Sequence, residues 1–406
     1  MRIEQLIRKS LRLQAHRVAG VARRRGGVLE ARVEAISNRR LRCGRCGRKA
    51  VHRRGRMRER RWRDLFVLGY PLVIVYAPYR VSCPRCGVRV ERVPWAPRWG
   101  RFTKPLGCAV AELARRMNWR DVARYFRLDW KTVLAVVRWA VDYGLRKREL
   151  KTLHYLGIDE VSRRKGHYYL SLFYDLGRKK LLYLSENRDE NSVRTFFQWL
   201  GKRRSGSIRE VCMDMWKPYS NVVREMAKKA VIVFDRFHLV RHLNEAVDEV
   251  RREMVRELVG PQAAMIKRTR YLWLKNHWNL KGEERMKMRD LLQENMPIVK
   301  AYLLKEAFQK FWRYQSKGHA RNYLRRWFWL ATHSRLKPMI KFAKLVRRHE
   351  EGILAWIDSR ISNGALEGMA NKIKTVAKRA YGFRKTEHYM LAIYHCCAEL
   401  PLPKLR

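Results

Sequence analysis

The chain has 406 residues, of which 47% are hydrophobic, a length and composition that allow about two to four domains with cores of their own. Its 92 Lys and Arg face 37 Asp and Glu, and the resulting net charge of +55 favours a polyanionic partner, with nucleic acid ahead of an anionic membrane surface. No apolar run of about 18 residues predicts a spanning helix and no signal-peptide core opens the sequence, so we expect a cytoplasmic, nucleoid-associated protein without a membrane partner. Thermal adaptation is another source of arginine, but it usually adds glutamate as well.

Residues 1–40 are predicted to be a basic, amphipathic helical lead-in, and residues 41–100 a zinc-binding module. The module is indicated by two Cys-x-x-Cys pairs, each followed directly by a glycine. Their thiols belong to Cys43, Cys46, Cys83 and Cys86. Two such turns close a tetrahedral four-cysteine site for structural Zn²⁺, and the β-like segment between the pairs is expected to form a hairpin, as in a zinc ribbon. A redox Cys-x-x-Cys motif is the alternative. The arginines around the first pair either contact phosphates or form a solvated face.

Residues 104–150 contain NWRDVARYFRLDWKTVLAVVRWAV, which has the pattern of a DNA-binding helix-turn-helix. The first helix is expected over residues 119–126. Asp129 then caps the second helix, which begins at Trp130, by accepting a bond from its free backbone N–H groups. The second helix exposes three residues suited to a DNA groove or to phosphates: Lys131, Thr132 and Arg138. A helical hairpin that does not contact DNA is the alternative.

Residues 152–238 are predicted to be the first part of an RNase H-like catalytic core, because their pattern is three strands, a helix, a strand, a helix and a fifth strand. The second strand is expected over His167–Leu176. Asp159 lies in the first strand, Asp214 at the end of the fourth and Asp235 at the end of the fifth. Two-metal phosphodiester chemistry needs carboxylates that converge on two ions about 3.5–4 Å apart. Mg²⁺ or Mn²⁺ prefers oxygen ligands and keeps waters, so a few carboxylates suffice.

A further carboxylate is predicted to come from residues 361–406. Glu367 is the one acid in SNGALEGMANKIKTVAKRAYGFRK, and a helix beginning near Ala365 would present it. Basic neighbours on that helix would hold DNA phosphates beside the metals: Lys372, Lys374, Lys378 and Arg379. Glu160 is an alternative or additional ligand to Asp159, and any one of these aspartates alone is equally an ordinary turn or cap residue.

Four stretches of the sequence resemble the ISL3 family of insertion-sequence transposases, which carry a DDE catalytic domain. They are LGIDEVSRRKGHYYLSLFYDL, VCMDMWKPYSNVVRE, VIVFDRFHLVRHLNEAVDEVRR and SNGALEGMANKIKTVAKRAYGFR. The resemblance spans nearly the whole chain and implies that Asp159, Asp214 and Glu367 form the DDE triad. The DRFH unit, Asp235 to His238, resembles a signature of DDE families that carry a helical insertion before the final Glu. His238 would contact the scissile phosphate, position a ligand or make a structural hydrogen bond.

Residues 239–360 would be that helical insertion. Six of its tryptophans stand among basic residues: Trp273, Trp278, Trp312, Trp327, Trp329 and Trp356. We expect core packing for most of them, with stacking on unpaired or flipped bases as the alternative. Arg325 and Arg326 are predicted phosphate contacts.

The sequence therefore predicts a DNA transposase of α/β plus all-α architecture. It would bind the terminal inverted repeats of an insertion sequence and catalyse metal-dependent cleavage and strand transfer of double-stranded DNA, with no covalent protein intermediate. The resemblance implies a homodimer or larger synaptic complex that handles both element ends. Two alternatives stand beside this hypothesis, a non-catalytic DNA-binding protein or repressor derived from a transposase, and a nuclease acting on RNA–DNA hybrids.

Overall fold

The computed structural model describes residues 2–37, 39–164, 168–259, 266–294 and 296–404. The chain forms two compact units. Met1–Leu150 and Asn371–Arg406 make up the first, and Lys151–Ala370 make up the second.

The first unit begins with a helix and two small sheets. In chain order these elements are α1 Ile3–Leu11, β1 His16–Arg24, β2 Val28–Ala35, β3 His52–Arg56, β4 Arg60–Val67, β5 Tyr70–Tyr76, β6 Tyr79–Cys83 and β7 Gly87–Val90. One sheet has the order β1-β2-β5-β4 and the other the order β3-β6-β7. The hairpin expected between the two cysteine pairs is confirmed, since β4 and β5 pair in antiparallel register.

The helical lead-in predicted for residues 1–40 is wrong beyond Leu11. His16–Ala35 forms an antiparallel hairpin that turns at Gly26 and Gly27, both with positive φ, a conformation that glycine adopts at little cost. Alternate residues of β2 such as Ala31 and Val33 are buried, which is the period of a strand and not of a helix. Because β2 also pairs with β5, one sheet spans the proposed boundary at residue 40.

The helices of the first unit follow the sheets. They are α2 Lys104–Ala114, α3 Trp119–Tyr125, α4 Trp130–Lys147 and, from the end of the chain, α16 Thr386–Cys397. The Asp129 carboxylate accepts a bond from the Lys131 backbone N–H at 2.7 Å, so the predicted cap is confirmed. Helices α3 and α4 share a buried apolar face, which includes Val122, Ala123, Val133, Val136, Val137 and Ala140.

The second unit is built on a five-stranded sheet in a mixed α/β arrangement. Its first elements are β8 Tyr155–Arg164, β9 Tyr168–Asp175, β10 Lys180–Glu186, α5 Glu190–Leu200, α6 Lys202–Ser205, β11 Glu210–Met213, α7 Lys217–Met226 and β12 Val231–Phe234. The sheet order is β10-β9-β8-β11-β12. The first three strands form an antiparallel meander, and β11 runs parallel to β8 and to β12. The predicted alternation of strands and helices is confirmed, although His167 lies outside the described residues.

A helical region follows the last strand, and its central core is aromatic. Its elements are α8 Arg236–Glu257, α9 Arg270–Leu274, α10 Gly282–Gln293, α11 Pro297–Lys310, α12 Lys317–Thr332, α13 Lys337–Arg348 and α14 Glu350–Ser359, with 3₁₀ turns at His277–Asn279 and Phe311–Arg313. Four of the six tryptophans are buried as expected, namely Trp273, Trp312, Trp327 and Trp356. Trp278 and Trp329 are exposed. The next helix, α15 Gly364–Arg379, contains the boundary between the two units.

Candidate active site and nucleic-acid interface

Three aspartates lie side by side at one edge of the five-stranded sheet. The register pairs Gly157 with Cys212, and Met213 with Phe234. Asp159 and Asp214 lie two residues after the first pair, and Asp214 and Asp235 lie one residue after the second pair. The three aspartates therefore fall at the same level of three neighbouring parallel strands. This is the edge at which the carboxyl ends of β11 and β12 open, where α/β sheets place their ligands.

The imidazole of His238 lies among the three carboxylates. His238 is in the first turn of α8, directly after Asp235. Its Nε2 is 3.7 Å from Asp159 Oδ1 and 4.0 Å from Asp235 Oδ2, and its Nδ1 is 3.6 Å from Asp214 Oδ2. These separations exceed hydrogen-bond length. The buried Nδ1 has no hydrogen-bond partner among the described residues. The structure thus brings together four residues that the sequence analysis predicted to belong to the catalytic site.

Burial sets the charge states at this cluster. Desolvation, reinforced by the neighbouring acids, raises the pKa of Asp159 to about 7, and desolvation also raises the pKa of Asp235. Desolvation lowers the pKa of His238 against the opposing effect of Asp214 and Asp235, which favours the neutral imidazole. The site is therefore a buried group of acids without enough positive charge of its own, an arrangement that a bound cation would relieve.

Glu160, the alternative ligand, is engaged elsewhere. Its Oε1 lies 2.9 Å from Nε of Arg188, which follows β10, and the same guanidinium reaches Asp214 Oδ2 at 3.4 Å. Arg188 also lies 4.5 Å from the ring centroid of Trp216. Arg188 therefore links Glu160 to the aspartate cluster.

Glu367 is exposed in the first turn of α15, and the start of that helix contacts the strand that carries Asp159. Asn363, which is buried, donates from Nδ2 to the Ile158 carbonyl at 3.3 Å, and its own backbone carbonyl accepts from the Glu367 N–H at 2.8 Å. The Asn363 backbone also lies close enough to the Asp235 carboxylate to lower the pKa of that acid, against the larger effect of burial. Glu367 thus lies one helical turn after Asn363, whose side chain holds the start of α15 on the strand that carries Asp159.

The close approach of α15 depends on Gly157. A Cβ at this position would lie 2.9 Å from Leu366 Cδ1 and 3.0 Å from Asn363 Oδ1. A Cβ essentially never comes this close to another side chain, so a larger residue would force the buried Leu366 and Asn363 side chains at the start of that helix to shift. Sequence reasoning missed Gly157, Asn363 and Arg188. Only Asn363, directly before the helix, was a visible signal, because Asn is a favoured residue at helix starts.

The four cysteines of the first unit form a compact cluster. Their Sγ atoms all lie within 4.8 Å of one another, and Cys46 Sγ is 3.5 Å from Cys83 Sγ. Cys43 and Cys83 are buried, and the antiparallel contacts of Cys43 with Glu91 and of β6 with β7 bring the two pairs together. Four thiols at this separation match the donor set of structural zinc and support a four-cysteine site for Zn²⁺.

The residues predicted to contact DNA differ in their exposure and in the contacts that they already make within the protein. On α4, Lys131 is exposed and Thr132 is half-buried, whereas Arg138 forms a 2.6 Å ion pair with Glu387 of α16. On α15, Arg379 donates to the Arg116 carbonyl and to Cys396 Sγ. The other predicted contacts are exposed, namely Lys372, Lys374, Lys378, Arg325 and Arg326. Within the part of the chain that the structure describes, no helix is both long and apolar enough to cross a membrane.

In the comparison with known proteins, three family models match successive parts of the chain. A family model described as a transposase, of the DDE type and ISL3 family, matches residues 156–393. A model described as the helix-turn-helix domain of transposase family ISL3 matches residues 91–138, and one for the zinc finger of the IS204, IS1001, IS1096 and IS1165 transposases matches residues 39–93.

Two curated relatives match over most of their length. The transposase for insertion sequence element IS1001 of Bordetella parapertussis is 31% identical over 357 residues, covering 86% of this chain and 87% of the relative. The transposase for insertion sequence element IS1557 of Mycobacterium tuberculosis is 30% identical over 388 residues, covering 89% and 87%. With a catalytic-domain model over more than half of its residues and relatives of this extent, the chain belongs to the ISL3 family of insertion-sequence transposases.

Proposed function

We propose that this transposase binds the terminal inverted repeats of its insertion sequence and cuts and joins DNA at an RNase H-like DDE site formed by Asp159, Asp214 and Glu367. The observation that carries the proposal is the convergence of acids at one sheet edge. Asp159 and Asp214 lie at the same level on neighbouring strands, around His238, and the helix that bears Glu367 is anchored on the same strand through Asn363.

The strand arrangement supports the RNase H-like assignment. A three-stranded antiparallel meander is followed by two parallel strands, each reached through a helix, with the first strand in the centre of the sheet. Helices α8 to α14 then separate the fifth strand from the helix with the last acid, so they occupy the position of the predicted insertion at residues 239–360.

The residues present fit a divalent cation. The donor set is carboxylate oxygen, which Mg²⁺ and Mn²⁺ prefer, and the buried acids repel one another while Arg188 pairs with Asp214. A bound cation would stabilise the charged form of Asp159 and so oppose the rise in its pKa. A water on that cation would give a hydrogen-bond partner to Nδ1 of His238, which has none among the described residues. Asp159, Asp214 and Glu367 would hold the ions, with Asp235 close by.

A pair of such ions would activate the attacking water or 3′-hydroxyl and stabilise the leaving oxygen. By holding the ions, Asp159 and Asp214 would fix where the reacting phosphodiester binds relative to the sheet, and Arg188 contacts Asp214 Oδ2 at 3.4 Å. His238, neutral because of its burial, has one ring nitrogen that can donate a hydrogen bond to a carboxylate or phosphate oxygen and one that can accept a hydrogen bond from a water. In the cleavage step water adds to phosphorus and the P–O3′ bond breaks, releasing a 3′-hydroxyl. In the transfer step that hydroxyl adds to a target phosphodiester and displaces its 3′-oxygen, so no bond to the protein forms.

DNA would be contacted mainly by residues of the first unit, with further phosphate contacts from the helical region of the second. The start of α4 presents Lys131 and Thr132, while the exposed lysines of α15 would contact phosphates: Lys372, Lys374 and Lys378. Arg325 and Arg326 of α12 would contact phosphates from the helical region. Arg138 and Arg379 contribute less, because each already has a partner within its own unit. Since the two ends of an element must be processed together, we expect a homodimer or a larger synaptic complex.

Asp214→Asn tests the catalytic part. The substrate is a duplex of the inverted repeat beside the gene, incubated with purified protein and Mg²⁺. We expect the variant to bind this duplex as the unaltered protein does and to lose cleavage by a factor of about 1,000 or more, since the remaining groups cannot hold the ions. Asp358→Asn, an exposed acid of the same unit, is the matched control and should cleave normally. Cleavage that survives in Asp214→Asn would remove Asp214 from the site. Binding without cleavage by the unaltered protein would instead favour the repressor hypothesis.

A further inference from the structure

The turn that ends α15 holds an aromatic ring in open solvent. Tyr381 is 96% exposed, more than any other large hydrophobic side chain of the described residues. The N–H of Tyr381 donates to the Lys378 carbonyl at 3.0 Å, and the N–H of Gly382 donates to the Ala377 carbonyl at 2.9 Å. These two bonds are the Schellman motif, in which the residue with left-handed backbone is usually glycine. Tyr381 occupies that position with φ of +54°. The fold thus accepts backbone strain and loses the burial of a ring at the same residue.

The neighbouring ring behaves in the opposite way. Phe383, two residues later, packs on Tyr389 with 5.3 Å between ring centroids. It also contacts Trp119, the first residue of α3, at 5.7 Å. One aromatic residue of the segment therefore fixes the turn to the first unit, while the other projects from it.

The turn lies beside the helix-turn-helix. Besides the contact of Phe383 with Trp119, His388 of α16 lies 6.2 Å from Trp119 and 6.1 Å from Trp130, the first residue of α4. Exposed cations surround Tyr381 in sequence, namely Lys378, Arg384 and Lys385. A projecting ring among cations, next to the start of a DNA-recognition helix, matches the chemistry of a nucleic acid. The cations attract the phosphates and the ring offers a face to a base.

We propose that Tyr381 is a DNA-binding residue that stacks on a base of the element end held by the helix-turn-helix and the basic face of α15. This inference rests on the proposed function in taking DNA as the ligand. The strained turn makes sense in this role, because it points a rigid ring away from the protein at a fixed place relative to α4. The stacked base is either one displaced from its partner or one at a step that the ring enters.

The test measures binding, so that it does not depend on catalysis. Tyr381 variants are made in the Asp214→Asn protein and titrated with two fluorescent duplexes from one element end. One duplex is fully paired and the other carries a single unpaired 2-aminopurine. We expect Tyr381→Ala to weaken binding about tenfold and to relieve 2-aminopurine quenching, because one base–aromatic stack is lost. Tyr381→Phe and Tyr381→Trp keep a ring and should retain binding. An effect on both duplexes indicates entry between paired bases, and an effect on the second alone indicates capture of an unpaired base.

The salt dependence separates stacking from charge. Tyr381→Ala should leave the slope of log affinity against log salt unchanged, whereas Lys378→Ala should reduce it by about 0.9. If Tyr381→Ala binds both duplexes as tightly as the parent, or if Tyr381→Phe is as weak as Tyr381→Ala, the proposal is overturned. The melting temperature of each variant shows that the protein is folded. Such a failure would leave the cleavage result for Asp214 untouched, so the two proposals are tested separately.

Discussion

The four-cysteine cluster and the acid cluster are both candidate metal sites, yet they are assembled differently. The four thiols come from 44 consecutive residues, Cys43 to Cys86, and converge within 4.8 Å on short antiparallel strands. The three proposed catalytic acids span 209 residues, Asp159 to Glu367, and Glu367 remains exposed. Among the described residues, the thiols are the one set of three or more metal-binding side chains within that distance. This difference is the one expected between two kinds of metal site. In a structural site the protein supplies all four ligands, whereas a catalytic site keeps a coordination position open for water or substrate.

Removing zinc should have the largest effect and should be confined to one unit. A Cys83→Ser substitution, or treatment with a strong chelator, removes the ion that holds β3, β6 and β7 together. Structural zinc contributes on the order of 10 kcal/mol to folding of small modules, so this region should unfold. Limited proteolysis is expected to cut within residues 41–100 while the second unit stays resistant. Ser82→Ala, beside the ligand, is the control. Wild-type resistance in Cys83→Ser would show that this sheet does not depend on the metal.

Gly157→Ala should damage the acid site without disturbing the zinc site. The new methyl group would meet Leu366 and Asn363 and displace the start of α15, which positions Glu367. A shift of about 1 Å in a catalytic group can cost about 100-fold in rate, so cleavage should fall by that order. Binding of element-end DNA should be unchanged. Gly318→Ala on α12, where the nearest side-chain atom is 3.9 Å away, is the matched control. Normal cleavage by Gly157→Ala would mean that the packing at this contact does not position Glu367.

Asp159→Asn should stabilise the metal-free protein as pH rises. The folded-state pKa of Asp159 is about 7, above the ordinary value, so ionisation costs stability that is intact below the ordinary pKa and lost as pH rises through 7. The melting temperature of the variant should therefore exceed that of the unaltered protein at pH 8 and approach it near pH 4. Mg²⁺ should narrow the difference at pH 8 by stabilising the charged form. Equal melting temperatures at both pH values would show that burial of this acid carries no cost.

Local patterns predicted most of the fold. The Cys-x-x-Cys spacing identified the zinc cluster, Asp129 marked the start of α4, and the alternation of strands and helices led to Asp214 and Asp235, because each signal lies within a few residues of the feature it determines. The helix predicted over residues 1–40 is wrong beyond Leu11, because the side chains of residues 16–35 are buried and exposed in the pattern of strands.

Contacts made by distant residues could not be predicted in the same way. Three hydrogen bonds join residues that are 26, 205 and 249 positions apart, namely those of Arg188 with Asp214, of Asn363 with Ile158 and of Arg138 with Glu387. No spacing rule links such positions, and the partner of each is chosen only when the sheet and helices have packed. The role of Gly157 is of the same kind, since nothing in its strand shows which helix will cover it.

The proposed convergence of Asp159, Asp214 and Glu367 on one metal site is best tested by Fe²⁺ bound in place of Mg²⁺ or Mn²⁺. With hydrogen peroxide and ascorbate added, the ion reduces peroxide to hydroxyl radicals that cut the backbone near its ligands, and mass spectrometry locates the cuts. We predict cleavage next to all three acids when element-end DNA is present, and none of it in Asp214→Asn. Cuts near Asp159 and Asp214 with none near Glu367 would contradict the account.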